Sequence, residues 1–237
     1  MTKLEHWLLD QFYAQISDNK KELFEKNIKN RTRHITVVLE NLFQPHNAAA
    51  VLRSCDCFGV QDVHIIENFN KYEPNKDIDM GSSKWLNTYK YNKSKYNTVE
   101  CINTLKEKGY TVVATTPHTN DCLIGDLPID KPIALMFGTE LTGLTDKALE
   151  LADKYVRLPM YGFTESFNIS VSVALALFNT TERMRKTPNL KWQLSKEEQL
   201  KIKLDWVKKV VKHSPKVEKL LIERFNQINN LSSINNI

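Results

Sequence analysis

Apolar positions along this chain change their period several times, and each change predicts a change of element. Leu4, Trp7, Leu8, Phe12 and Ile16 recur at three- and four-residue spacing, one stripe of an amphipathic helix. A second short helix is predicted over 21–28. From residue 35 the pattern becomes β-branched and continuous. Strands are predicted over 35–40, 63–67, 110–116, 133–138 and 155–160. Helices are predicted between them over 47–58, 95–108 and 145–153, the first two closed by Gly59 and Gly109. Residues 69–94 are polar, broken by Pro74 and Gly81, and read as irregular. A long helix spans about 168–186, ahead of Pro188; its composition implies that nearly all of it is buried. Strand–helix alternation of this kind specifies an α/β fold, a mostly parallel sheet with helices on both faces.

Beyond Pro188 the period is helical again. Leu200, Leu204, Val207 and Val211 form a stripe within 194–213, with lysines on the other face. Pro215 ends that helix, a last one covers 216–228, and the final residues read as a frayed tail. Three regions follow: an N-terminal helical extension (1–33), an α/β domain (34–186) and a basic C-terminal helical extension (187–237).

Charge sharpens this division. The net charge is +5 over 237 residues, but residues 182–225 hold 13 Lys and Arg against 6 Asp and Glu. The rest of the chain is slightly acidic. A basic arm on a neutral core fits a polyanionic partner, although a solvated helix face has the same composition. No apolar run is long enough to span a membrane, and the N-terminus lacks a signal-peptide pattern. The four cysteines show neither CxxC pairing nor zinc spacing, so free thiols in a reducing cytoplasm are expected, and no metal.

Three loops at predicted strand ends carry the unusual residues. In the first, Asn47 opens a helix and Arg53 is its lone cation, separated from it by the small apolar run AAAVL. An anion clamp and a capped helix with a snorkelling arginine both fit. In the second, MFGTELTGLT, Gly138 ends a buried strand and allows close backbone approach, with Glu140 and Gly143 beyond it. GxGxxG and Walker motifs are absent. In the third, LPMYGFTESFNISVSVA, Glu165, Ser166 and Asn168 crowd the mouth of the apolar helix, more polar groups than a cap needs.

Taken in order and at these spacings, the three segments resemble the three motifs of the SPOUT methyltransferases, in the branch named for TrmH, over residues 34–186. The resemblance implies a trefoil knot in the C-terminal part of the sheet, a homodimer and an S-adenosylmethionine pocket. By motif position it places Thr115, Gly138, Leu158, Met160 and Phe167 at the cofactor. It places Arg53, Asn47, Glu140, Ser166 and Asn168 at the polar catalytic positions, with Arg53 supplied by the subunit opposite the cofactor. Arg183 and Arg185, after motif three, receive no specific contact. The implied reaction is 2'-O-methylation of an RNA ribose, with guanosine 18 of the tRNA D-loop as the expected target. The short N-terminal extension favours tRNA over rRNA. The alternatives are rRNA, another tRNA nucleotide, or RNA binding without catalysis. Arg31, Arg33, Lys208, Lys209 and Lys212 are the expected phosphate contacts.

Overall fold

The computed structural model describes residues 2–42, 44–70, 81–117 and 122–234, with side chains as far as residue 229. Pro74 lies outside the described residues. The chain divides into two compact units, Thr32–Gln193 and a second unit that joins Met1–Arg31 to Leu194–Ile237. The two terminal extensions are thus one helical body rather than two appendages.

The second unit begins with α1 (Lys3–Tyr13) and α2 (Asp18–Ile28). Thr2 and Ser17 cap them, each accepting a hydrogen bond from a first-turn N–H.

The larger unit follows as β1 (Ile35–Glu40), α3 (Pro45–Phe58), β2 (Asp62–Ile66), β3 (Asn87–Tyr91), α4 (Asn97–Glu107), β4 (Thr111–Thr115), β5 (Cys122–Leu123), β6 (Ile133–Phe137), α5 (Asp146–Leu151), β7 (Lys154–Arg157) and α6 (Ile169–Lys186). The seven strands form one sheet in the order β3-β2-β1-β6-β4-β7-β5, every pairing parallel.

The alternation within each strand assigns it to two helical layers. Ile35, Val37 and Leu39 join Ile133, Leu135 and Phe137 under α3 and α6. Val38, Ala134 and Met136 face the other way, under α4 and α5. Burial on both faces explains why β6 reads as an unbroken apolar run, and why β1 and β2 carry apolar residues on both faces with Thr36 and His64 as buried polar interruptions. Two strands escaped the hydrophobic pattern. NTYKY (β3) lies at a sheet edge and is half exposed, so its residues carry no apolar signature. The other, β5, has only two residues at the opposite edge. The last strand also ends at Arg157, so 158–160 belongs to a loop.

In α6 the expectation of near-complete burial needs correcting. Val173, Ala176 and Leu177 are buried against α3, but Val171, Leu175 (41% exposed) and Phe178 (59% exposed) form a second, uncovered stripe. The period of this helix is apolar on two faces, and only one meets the sheet.

The helical unit closes with α7 (Lys196–Val210) and α8 (Ser214–Ile234). Phe24 meets Trp206 edge-on with ring centroids 5.5 Å apart, and Trp7 meets Phe225 at 5.3 Å. Pro215 is in the first turn of α8, where its missing N–H costs nothing. Residues 229–234, expected to fray, continue this helix. Among the described residues, no helix is long and apolar enough to cross a membrane.

Candidate active site

The strand order reverses at the middle of the sheet. The chain moves outward from β1 to β3, returns on the other side with β4, and β6 then fills the gap between β1 and β4. Loops leaving the carboxyl ends at such a switch diverge and open a crevice. Here the ends of β4, β6 and β7 surround a cavity of ≈ 340 Å3, the size of a small-molecule site. Thr115, Gly138, Leu158, Met160 and Phe167 all line it, as do Glu140, Glu165 and Ser166. The Thr115 hydroxyl donates to the Met136 carbonyl at 2.7 Å, tying the end of β4 to β6.

Gly138 is dictated by the turn that follows it. Thr139 and Gly143 exchange backbone hydrogen bonds of 2.9 and 3.1 Å, with Gly143 in the left-handed region at φ 69°. This folds the turn back on the strand end. A Cβ on Gly138 would lie 2.1 Å from the carbonyl carbon and oxygen of Gly143. Only hydrogen fits there.

The polar motif residues converge beside the cavity. Oε1 of Glu140 accepts from Asn47 Nδ2 at 2.9 Å and from Asn168 Nδ2 at 2.6 Å. Asn168 Nδ2 also lies 3.1 Å from Asn47 Oδ1, closing a three-membered network between α3, the β6 loop and the start of α6. The orientation of Asn168 is set by Ser170, whose N–H and hydroxyl donate to Oδ1 at 2.9 and 2.6 Å. Asn168 is therefore the N-cap of α6, while Ser166 stands clear of the helix at the cavity wall. Asn47 is not a cap: Gln44 holds that position, and Asn47 sits inside α3 with its amide turned to Gln44 and Glu140.

This polarity makes a testable distinction at Asn168. Alanine should cost about 1 kcal/mol as a lost cap. Aspartate is an equally good cap in isolation, but its second oxygen would face Oε1 of Glu140. Thermal melts should show Asn168→Asp no more stable than Asn168→Ala; a melt at the wild-type temperature would mean that the network does not hold the helix end.

Arg53 is exposed on α3 and is not part of the cavity wall. The other expected cations are placed unequally. Arg31 departs from the expected exposed cation: it is 5% exposed, with its guanidinium 5.3 Å from the Trp206 ring centroid. Arg33 is ion-paired with Asp62 at 2.9 Å and Lys208 with Glu218 at 2.6 Å, whereas Lys209 and Lys212 are exposed. Arg183 donates to the carbonyls of Ile124 and Leu127, and Arg185 to that of Phe58, so both basic residues after motif three brace the fold. The sequence reading overlooked Glu40, a buried carboxylate at the end of β1; the one signal was a lone charge closing an apolar strand.

The family model described as the SpoU rRNA Methylase family matches residues 34–178. A tRNA (guanosine(18)-2'-O)-methyltransferase of Borreliella burgdorferi is 41% identical over 87% of this chain and 92% of its own length. One from Thermus thermophilus is 32% identical over 81% of this chain and 98% of its own. The crystal structure of the A. aeolicus TrmH/SpoU tRNA modifying enzyme superposes with a TM-score of 0.73 at 27% identity, covering 82% of this chain and 98% of that one. With most of the motif residues gathered at or beside one strand-end cavity and relatives matched along almost their whole length, this chain belongs to the SpoU methylase family.

Proposed function

We propose that this protein transfers a methyl group from S-adenosylmethionine to the 2'-hydroxyl of guanosine 18 in tRNA. The carrying observation is the cavity at the ends of β4, β6 and β7, joined to the Asn47–Glu140–Asn168 network. Its lining combines backbone at a glycine with Leu158, Met160 and Phe167, suited to a flat base and a short aliphatic chain, and with the polar Glu165 and Ser166. When bound, S-adenosylmethionine supplies an electrophilic methyl carried on a sulfonium.

The chain's residues then have two tasks. One is to hold the cofactor loops in register, which falls to Glu140, Asn47 and Asn168. Oε1 of Glu140 accepts from Asn47, Asn168 and the Ile169 N–H, so the role assigned to it is ordering of the loop. The other is to make the ribose hydroxyl reactive, which falls to Arg53. Arginine side chains remain protonated in proteins, so a cationic role is assigned: gripping the phosphate next to the ribose and stabilising the developing alkoxide. Ser166, which lines the cavity, is assigned to hold the ribose.

Arg53 lies outside the cavity of its own chain, which fits supply from a second copy. The uncovered stripe Val171, Leu175 and Phe178 on α6 is the surface proposed to pair in a homodimer, beside α3, which carries Arg53. Leu175→Arg should convert a dimer to monomer in sedimentation and abolish turnover; a variant that stays dimeric would remove this stripe from the interface. The knot remains part of the proposal, supported by the insertion of β6 and β7 between strands laid down earlier. Arg33, Lys208, Lys209 and Lys212 are the proposed phosphate contacts, in the cytoplasm where tRNA is found.

The test is transfer of labelled methyl from S-adenosylmethionine to unmodified tRNA, followed by alkaline hydrolysis. A 2'-O-methyl group blocks cleavage of the adjoining phosphodiester, so label is expected in an alkali-stable dinucleotide. Label in mononucleotides would mean base methylation and would end this reading.

A further inference from the structure

We propose that Glu40 is a positioning residue for the cofactor, clamping the far end of the loop that floors the cavity; this rests on the reading of that cavity as the S-adenosylmethionine site.

Glu40 ends the central strand β1 and is 1% exposed, and its hydrogen-bond partners among the described residues are neutral. Its carboxylate accepts three bonds. Oε1 takes the Thr98 hydroxyl at 2.6 Å and the Thr145 hydroxyl at 2.9 Å, and Oε2 takes the Thr145 N–H at 2.9 Å. Burying a carboxylate is expensive unless its lone pairs are filled, and here two of the three donors come from one residue. That residue is the N-cap of α5 and directly follows Gly143 and Leu144, two residues of the cavity wall.

The loop after β6 is therefore fixed at both ends. Near β6, the Gly143 backbone presses on Gly138 and Glu140 is held by Asn47 and Asn168. At its far end the holder is Glu40. The next residue, Asn41, extends the same anchor to the segment that follows β2. It sits in the left-handed region at φ 57°, and its side-chain oxygen accepts the N–H groups of Asn68 and Phe69.

Donor–acceptor accounting shows why a carboxylate is needed. Each threonine hydroxyl has one proton. Thr98 Oγ1 already accepts from Asn68 Nδ2, and Thr145 Oγ1 from the Ala148 N–H. Both protons are thus committed to Glu40, which must present acceptors only. A glutamine of the same shape fails either way round. It sets its NH2 against the Thr145 N–H, or it leaves both hydroxyl protons without an acceptor.

The experiment is titration calorimetry of the full-length chain with S-adenosylmethionine, alongside the melting temperature of each ligand-free variant. Glu40→Gln and Thr145→Ala release the loop, and each should raise the Kd by about tenfold, the size of one unsatisfied buried group. Thr98→Val removes a donor on the α4 side, away from the loop. It should lower the melting temperature and leave the Kd within about twofold. If Glu40→Gln does not fold, Thr145→Ala against Thr98→Val decides the matter. Unchanged Kd in both loop-side variants, or Kd changes in all three that merely follow the loss of melting temperature, would overturn the proposal. A well-folded wild-type chain that binds no S-adenosylmethionine would instead overturn the functional reading beneath it.

Discussion

Arg53→Ala is expected to lower the rate of methyl transfer by about 10²–10³-fold or more, while S-adenosylmethionine affinity stays within about twofold. The reasoning is geometric. Arg53 is exposed, outside the cavity wall, six residues along α3 from the network residue Asn47. Removing it takes nothing from the core or from the cavity wall of its own chain. Under the proposed assignment, what it removes is a cation directed at charge that develops only as the ribose hydroxyl loses its proton. An interaction made only in the transition state appears in kcat and spares ground-state binding. Single-turnover kinetics with calorimetry on the same sample separates the two. A large loss of cofactor affinity would move Arg53 from the reaction to the pocket and contradict its assignment. Arg53→Lys tests the finer point: a lysine keeps the charge but not the planar fork, so it should recover only part of the rate.

Gly138→Ala is expected to weaken S-adenosylmethionine binding by more than tenfold and to lower the melting temperature by about 5–10 °C. The added Cβ would sit 2.1 Å from the Gly143 carbonyl carbon and oxygen and 2.3 Å from the Leu144 nitrogen. All three are backbone atoms, which no rotamer change can move aside. The strand end or the 139–143 turn must shift by roughly 1 Å to restore ordinary contact distances. The turn is closed by two hydrogen bonds and carries Glu140, so its displacement also pulls that carboxylate from Asn47 and Asn168. One methyl group thereby loosens the pocket floor and the network together. Wild-type melting and affinity in this variant would show that the turn adapts without cost, and that the pocket is less defined than its geometry indicates.

Much of the fold was legible because the sheet is parallel and buried on both faces. β6 is apolar throughout, and β1 and β2 carry apolar residues on both faces, interrupted inside the strands by Thr36 and His64; such patterns are visible without any partner strand in view. The edges were not legible for the opposite reason. β3 needs no apolar face, since solvent takes one side of it, and its identity as a strand comes from pairing with β2. The exposed stripe on α6 misled the sequence reading in a related way. Leu175 and Phe178 look like core residues in composition, and only the packed structure shows which apolar face the sheet leaves uncovered.

The site was legible at the level of residues and not of roles. Asn47, Glu140 and Asn168 stand 93 and 28 positions apart, and only the switch-point topology brings them within hydrogen-bonding distance. Their order along the chain carried the family resemblance. Arg31 shows the limit of charge counting, because a cation beside Trp206 and one facing a phosphate look alike in a sequence. Glu40 shows the converse, a single acid whose importance depends on two threonines 58 and 105 residues away.

The most direct measurement of the central claim is nuclease digestion and mass spectrometry of an unmodified tRNA transcript incubated with the protein and S-adenosylmethionine. The expected product is one 2'-O-methylguanosine, mapped to position 18 of the D-loop and absent with Arg53→Ala. A tRNA that stays unmethylated under these conditions, although the folded protein binds S-adenosylmethionine, would contradict tRNA ribose methylation as the function.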